Sequence, residues 1–220
     1  MSGSNPRAAS RDRTRVITLY CPTRVGIDMP SQNGPDSPDP KEVVADHSDE
    51  LKTNWQRALE DMEAMAEDRQ EKGYETLTIP AGDTTTLTPD MGDDDSWGLS
   101  HIIPDNYADD FEALFDKSSI EETAVYQMES GGFIFMVTEL IDPDDEVVIF
   151  VAATYDMRYA GGLVRTAEAR DEMYTHVRTL DQTPLGTIHH DDPSDFFPDP
   201  ENFLAYDVTQ RRSPPENDSE

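Results

Sequence analysis

The sequence predicts an α+β domain with a mainly antiparallel sheet and helices packed on one face. Two observations predict this class. An amphipathic helix opens the folded part, and three strand-like segments follow one another closely between residues 123 and 155. Gly131-Gly132 and residues 142–145 separate these strands at hairpin length. Strands on such short loops must pair antiparallel, because a parallel crossover needs about a dozen residues or more.

The first helix is predicted between a cap at Asp46 or Ser48 and a stop at Gly73. Its apolar residues recur at helical spacing and form one stripe opposite a charged face. The stripe consists of Leu51, Trp55, Ala58, Leu59, Met62, Met65 and Ala66. Docking of this stripe on the chain's own sheet is the favoured interpretation, and a surface for a protein partner or a homo-oligomer is the alternative.

The remaining elements follow in the order α-β-β-α-β-β-β-α-β-β. Short strands are expected at 76–79 and 97–103, separated by a polar loop over residues 81–96, and a helix is expected from Asn106 to about Phe115. The three closely spaced strands cover 123–129, 133–141 and 146–155, and the last should be central because residues 147–153 are apolar on both faces. A helix over 157–172 and a hairpin of strands 174–180 and 185–190 complete the domain.

Acidic residues outnumber basic residues by 47 to 17, and only four of the bases are lysine. Such an excess repels itself at ordinary ionic strength, whereas salt near 1 M shortens the screening length to about 3 Å. The composition therefore predicts a salt-adapted cytoplasmic protein. Direct binding of nucleic acid is not expected, since phosphate contacts need clustered Lys and Arg. The alternative is an acidic adaptor or a mimic of nucleic acid.

The two ends of the chain differ from its centre. Residues 1–28 hold five arginines and two aspartates, and they contain the single cysteine, Cys21. We expect residues 1–47 to be a disordered leader. The hypothesis for residues 1–28 is that they are not translated and that translation starts at Met29, and a genuine basic tail is the alternative. Residues 48–206 are the expected domain, and residues 207–220 a disordered tail. No stretch approaches the roughly 20 apolar residues that a membrane span needs, so no membrane association is expected.

The last hairpin carries the one specific prediction of a site. A loop centred on Gln182-Thr183 would place His176 opposite His189 and Tyr174 opposite Asp191, on one side of the sheet. Two imidazoles and a carboxylate could start a zinc or iron site at His176, His189 and Asp191. A one-residue change of register would destroy the arrangement. Histidines that merely pack on the strand are the alternative.

Other motifs are weak. No Gly-x-Ser-x-Gly, His-Glu-x-x-His or dinucleotide fingerprint occurs, and no catalytic residue or cofactor is predicted. Asp90 with residues 93–95 lacks the alternating ligand positions of a calcium loop, so a salt-adapted acidic loop is favoured. Gly161-Gly162 is not placed as a phosphate-binding turn would require, so close packing against the sheet is the favoured reason for it.

Two segments, residues 55–66 (WQRALEDMEAMA) and 173–198 (from MYTHVR to HHDDPSDFFP), resemble a family of uncharacterised haloarchaeal proteins of unknown function. The resemblance covers roughly residues 50–200 and implies a haloarchaeal source, without an activity, cofactor or catalytic residue. A non-enzymatic binding or regulatory domain, with an unknown protein partner possible, is the favoured function. The alternatives are a metal-dependent enzyme that uses the hairpin site and the acidic adaptor.

Overall fold

A computed structural model of the protein describes residues 40–91 and 97–206, without the side chains of residues 40–47 and 206. The expectations for residues 1–39 and for the tail at 207–220 lie outside these residues. In the described part, four helices and eight strands follow one another. They are α1 Pro40–Glu71, β1 Glu75–Pro80, β2 Asp83–Leu87, β3 Gly98–Ile102, α2 Ala108–Lys117, β4 Glu122–Ser130, β5 Phe133–Asp142, β6 Val147–Asp156, α3 Gly161–Arg170, β7 Met173–Arg178, β8 Pro184–His190 and α4 Pro200–Tyr206.

The strands form two four-stranded mixed sheets. The first sheet has the order β1-β6-β5-β4 and the second has the order β2-β3-β7-β8. β1 pairs parallel with β6, and β3 pairs parallel with β7, whereas the other neighbours pair antiparallel. The α+β class is confirmed, but the prediction of one mainly antiparallel sheet is wrong. The argument from short loops covers only hairpins, and both parallel pairs join strands that are far apart in the sequence.

Two elements were not predicted. β2 lies within the expected polar loop over residues 81–96, where Thr84 and Thr86 point inward and pair with β3. Threonine is β-branched and suits a strand even though it is polar. The short helix α4 buries Phe203 in the main core. In addition, α1 begins at Pro40, before the expected start of the domain at residue 48.

Strand β6 is central, as predicted, and both of its faces are covered. One face places Val148, Phe150 and Ala152 against Met62 and Ala66 of α1. The docking of the α1 stripe on the chain's own sheet is thereby confirmed.

The opposite face of β6 places Ile149 and Val151 in the main core, which also holds Phe111 of α2 and Leu163 of α3. Helices therefore lie on both faces of the first sheet, and the expectation of helices on one face is wrong. The physical reason is that a strand apolar on both faces exposes hydrophobic surface to water unless both faces are covered.

An ion pair accompanies α1 where it docks on the sheet. Arg69 Nη2 donates to Glu139 Oε2 at 2.8 Å, and the side chain of Glu139 is only 3% exposed. The Arg69 guanidinium also lies 5.5 Å from the centre of the Tyr74 ring. Glu139 belongs to β5 between Val137 and Ile141, both of which are buried under the helix. The pair therefore neutralises a carboxylate that the helix has removed from water.

Candidate functional site

The register of the last hairpin differs from the prediction. Tyr174 pairs with His189 and His176 pairs with Thr187, so the predicted pairing of His176 with His189 is wrong. The cause is the turn, because residues 179–183 form a longer loop closed by Thr179 N donating to Thr183 O at 3.0 Å. A register irregularity between Val177 and Arg178 completes the shift. Since the shift is two residues, His176 and His189 keep the same side of the sheet.

His176 is buried and held by neighbours that are not metal ligands. Its Nδ1 lies 3.1 Å from Thr187 Oγ1, and its Nε2 lies 3.0 Å from the carbonyl oxygen of Trp97. Both ring nitrogens are therefore engaged in hydrogen bonds. A metal at this position would have to displace one of them.

His189 lies nearer the surface between two carboxylates. Its Nε2 is 2.8 Å from Glu172 Oε2, and its Nδ1 is 3.3 Å from Asp191 Oδ1. The structure thus brings His189 and Asp191 together, with Tyr174 at 4.8 Å between ring centroids. Within residues 40–91 and 97–206, no group of three or more His, Cys, Asp or Glu residues could hold a metal ion. Metal binding by His176, His189 and Asp191 stays a prediction.

A larger feature lies between β2 and α3. It is a half-open cleft of about 1150 Å³, slightly above the usual range of roughly 300–1,000 Å³ for ligand pockets. β2 and the loop that follows it line one side, and α3 lines the other. The end of β6 and the start of β5 complete the lining with Phe133 and residues 154–156.

Hydroxyl groups dominate the polar lining of the cleft, and several already have partners. Thr86 Oγ1 donates to the carbonyl oxygen of Tyr159 at 2.9 Å, and Thr166 Oγ1 donates to that of Gly162 at 3.0 Å. Thr84 Oγ1 lies 3.0 Å from Nδ1 of His101, a buried histidine whose pKa burial lowers to about 4. The Thr86 bond joins β2 to the turn before α3, the Thr84 contact joins β2 to its neighbour β3, and the Thr166 bond lies within α3.

Two other lining hydroxyls lack such partners. Thr154 Oγ1 and the Tyr155 hydroxyl are buried without a hydrogen-bond partner among the described residues. A buried hydroxyl normally finds a partner, because leaving it unpaired costs about 1–3 kcal/mol. Burial raises the pKa of Tyr155 far above its usual value, so the phenol keeps its proton and can donate. Both residues line the cleft, but their hydroxyl oxygens are themselves buried.

The cationic groups of the cleft come from α3. Arg165 is half-buried and Arg170 is exposed, and both line the cleft. The Arg170 guanidinium lies 5.0 Å from the centre of the Trp97 ring. Arg158, in the turn before α3, forms an ion pair with the lining residue Asp156, with Nε donating to Oδ1 at 2.9 Å.

The rim of the cleft is partly apolar. Met91 and Tyr159 line it and are 62% and 61% exposed, and Leu180 is the third strongly exposed large hydrophobic side chain in the described part of the chain. Sequence reasoning missed this site, because its walls come from segments distant in the chain. Two signals were present: the run of threonines at 84–86, and three arginines between residues 158 and 170 in a chain poor in bases.

Among the helices that the structure describes, none is long and apolar enough to cross a membrane. No curated protein and no solved structure matches the chain. A model of a family of unknown function, DUF7529, matches residues 41–198, which run from the second residue of α1 to just before α4. The match covers well over half of the chain and agrees with the resemblance to a family of unknown function. The protein therefore belongs to the family of unknown function DUF7529.

Proposed function

We propose that the protein is a non-enzymatic binding domain whose cleft between β2 and α3 holds a small molecule. A halophilic, cytoplasmic setting remains part of this proposal, supported by the excess of 47 acidic over 17 basic residues. The observation that carries the proposal is the half-open cleft itself, about 1150 Å³ in volume, with threonines of β2 on one side and residues of α3 on the other.

Binding suits this lining better than catalysis does. Hydroxyl groups and guanidinium groups donate hydrogen bonds but do not exchange protons readily near neutral pH. Tyr155 holds its proton because burial raises its pKa. Asp156, a carboxylate of the lining, is engaged by Arg158 through two oxygens. The groups are therefore arranged to recognise a molecule.

A substitution that fills the cleft tests the proposal. Ala169 is exposed and lines the cleft, whereas its exposed neighbour Glu168 does not. Ala169→Trp should obstruct the cleft, and Glu168→Trp is the matched control on the same helix. A panel of metabolites is screened against all three proteins by thermal denaturation in high-KCl buffer.

Compounds that bind should stabilise the wild-type protein and Glu168→Trp, and should have little effect on Ala169→Trp. At a ligand concentration 100 times Kd the stabilisation is about 2.7 kcal/mol, which is several degrees in Tm for a domain of this size. Compounds that stabilise Ala169→Trp equally would place binding elsewhere. A panel without any stabilising compound would contradict the proposal.

A further inference from the structure

We propose that the small molecule held by the cleft is a short basic peptide in extended conformation, which adds to β2 as a further strand of the second sheet. This inference rests on the proposed function, because it assumes that the cleft is the ligand site. It adds the chemical class of the ligand and the groups that recognise it, the backbone N–H and C=O groups of β2.

Strand β2 has an open edge. It is the first strand of the sheet β2-β3-β7-β8 and pairs with β3 alone over Asp83–Leu87. Among the residues that the structure describes, no backbone hydrogen bond joins β2 to any other strand or loop. In an antiparallel pair, alternate residues direct their N–H and C=O groups away from the partner strand. The outer edge of β2 therefore offers unpaired donors and acceptors.

The cleft runs along this edge. The four consecutive residues 83–86 all line it. Successive side chains of a strand point to opposite faces, so a cavity that reaches four consecutive residues lies beside the strand and not over one face. The lining residues of α3, at 162, 165, 166 and 169, recur at intervals of three and four and form one helical face. A peptide between them would have backbone partners on β2 and side-chain contacts on α3.

One end of this groove is narrow, which limits the length of the peptide. Thr86 Oγ1 donates to the carbonyl oxygen of Tyr159 at 2.9 Å, and a Cβ at Gly162 would lie only 2.8 Å from Thr88 Cγ2. The turn before α3 and the start of α3 thus approach the chain closely at the end of β2. The remaining edge, residues 83–85, extends about 10 Å and matches a peptide of about three or four residues.

The charges beside the edge favour a basic peptide. Asp83 and Asp90 line the β2 side of the cleft, and no ion pair among the described residues includes either of them. The whole chain also carries a net charge of −30. Lysine or arginine side chains next to the added strand are therefore attracted, whereas acidic side chains are repelled.

The probe peptide is acetyl-Val-Lys-Val-Lys-amide. Its lysines supply the charge, and its valines favour an extended chain and offer apolar contact to Met91 and Tyr159, which are exposed at the rim. Two isomers of the probe carry N-methyl groups on residues 1 and 3 or on residues 2 and 4. Both isomers have the same charge and composition, so they differ only in which backbone N–H groups are blocked.

Titration calorimetry in the high-KCl buffer measures the affinity of each peptide. Since only alternate N–H groups of an added strand point to β2, one isomer should bind about tenfold or more weakly than the probe, and the other within about threefold. Ala169→Trp should abolish binding of the probe, and Glu168→Trp should preserve it.

Amide hydrogen exchange followed by NMR tests where the peptide binds. Saturating probe should slow exchange about tenfold or more at alternate amides of β2, those that point away from β3. The matched control is β4, an edge strand of the first sheet, whose exchange should not change.

A third comparison tests the charge. Acetyl-Val-Glu-Val-Glu-amide should bind about threefold or more weakly than the probe. Asp83→Asn should reduce this difference, and Asp61→Asn should not, because Asp61 is exposed on α1 and does not line the cleft. Circular dichroism and Tm show that each variant is folded.

The inference is overturned if the probe does not bind, if the two isomers bind equally, if exchange in β2 is unchanged, or if the glutamate peptide binds as tightly. A protein dimer that Ala169→Trp dissociates would assign the edge to a second copy of the chain and would also overturn it. Metabolites that bind in the cleft when the probe does not would overturn the peptide and support the proposed function. Probe binding that Ala169→Trp does not affect would place the peptide outside the cleft, and the metabolite panel alone would then decide the proposed function.

Discussion

Breaking the ion pair between Arg69 and Glu139 should destabilise the domain far more than breaking an exposed pair. The side chain of Glu139 is 3% exposed and that of Arg69 is 24% exposed, with 2.8 Å between Nη2 and Oε2. Replacing Arg69 by Met keeps the aliphatic stem but leaves a carboxylate under α1 without a counter-charge. Removing one partner of a buried pair costs about 3–5 kcal/mol. Because Arg69 is partly exposed, we expect about 3 kcal/mol, a large share of a typical domain stability.

Urea denaturation at fixed KCl concentration measures this loss as a shift in the midpoint. The matched control is Lys72→Met in the turn directly after the same helix. The pair of Lys72 with Asp68 is 56% and 59% exposed and should contribute about 0.5 kcal/mol or less. The double variant of Arg69→Met with Glu139→Leu should recover most of the loss, because it removes the buried charge. A loss below about 1 kcal/mol for Arg69→Met, or no recovery in the double variant, would refute the reasoning.

Three further measurements follow from the structure. Gly98→Ala should unfold the domain in a thermal melt, because a Cβ at this position would lie 1.8 Å from the carbonyl oxygen of Tyr174. The control Gly73→Ala, which shares the positive φ but has open space around it, should cost only about 1–2 kcal/mol of stability. Equal losses of stability in the two variants would exclude the clash as the cause. Burial lowers the pKa of His190 from 6.5 to about 3, so the unfolded chain alone takes up this proton as the pH falls below 6.5. The His190 side chain should therefore lower the free energy of unfolding by about 1.4 kcal/mol for each pH unit below 6.5. Between pH 6.5 and 5, the urea midpoint of His190→Gln should fall less steeply than that of the wild type. Metal analysis of protein purified without a tag tests the hairpin prediction. We expect substoichiometric zinc and iron, because both ring nitrogens of His176 are already bonded, and one equivalent of either metal would confirm the predicted site.

The parts of the fold that the sequence predicts well are local. The apolar stripe of α1 and the hairpins that join β4, β5 and β6 follow from residue spacing and loop length, and both agree with the structure. The final hairpin shows the limit of this reasoning. Its two strands were expected, but the turn closed by Thr179 and Thr183 shifts the register by two residues. Register depends on turn geometry, which spacing alone does not specify.

The candidate site was less predictable than the fold. The hypothesis that joined His176 to His189 depended on one register, and the structure places His176 against Thr187 and Trp97 instead. The cleft combines β2 with the end of β6 and with α3, which follow β2 only after several intervening elements of the chain. Its threonines and arginines are separated in the sequence and form one site only when the domain packs.

By itself, the sequence determined the helix stripe, the central apolar strand and the acidic balance of 47 to 17, because each depends on composition or on neighbours a few residues apart. Only the tertiary structure decided that the strands divide into two mixed sheets, that α1 and α2 lie on opposite faces of the first, and that a cleft opens beside α3. Parallel pairs and cleft walls join segments distant in the chain. The burial of whole apolar faces determines which distant segments pack together, and local sequence patterns do not show it.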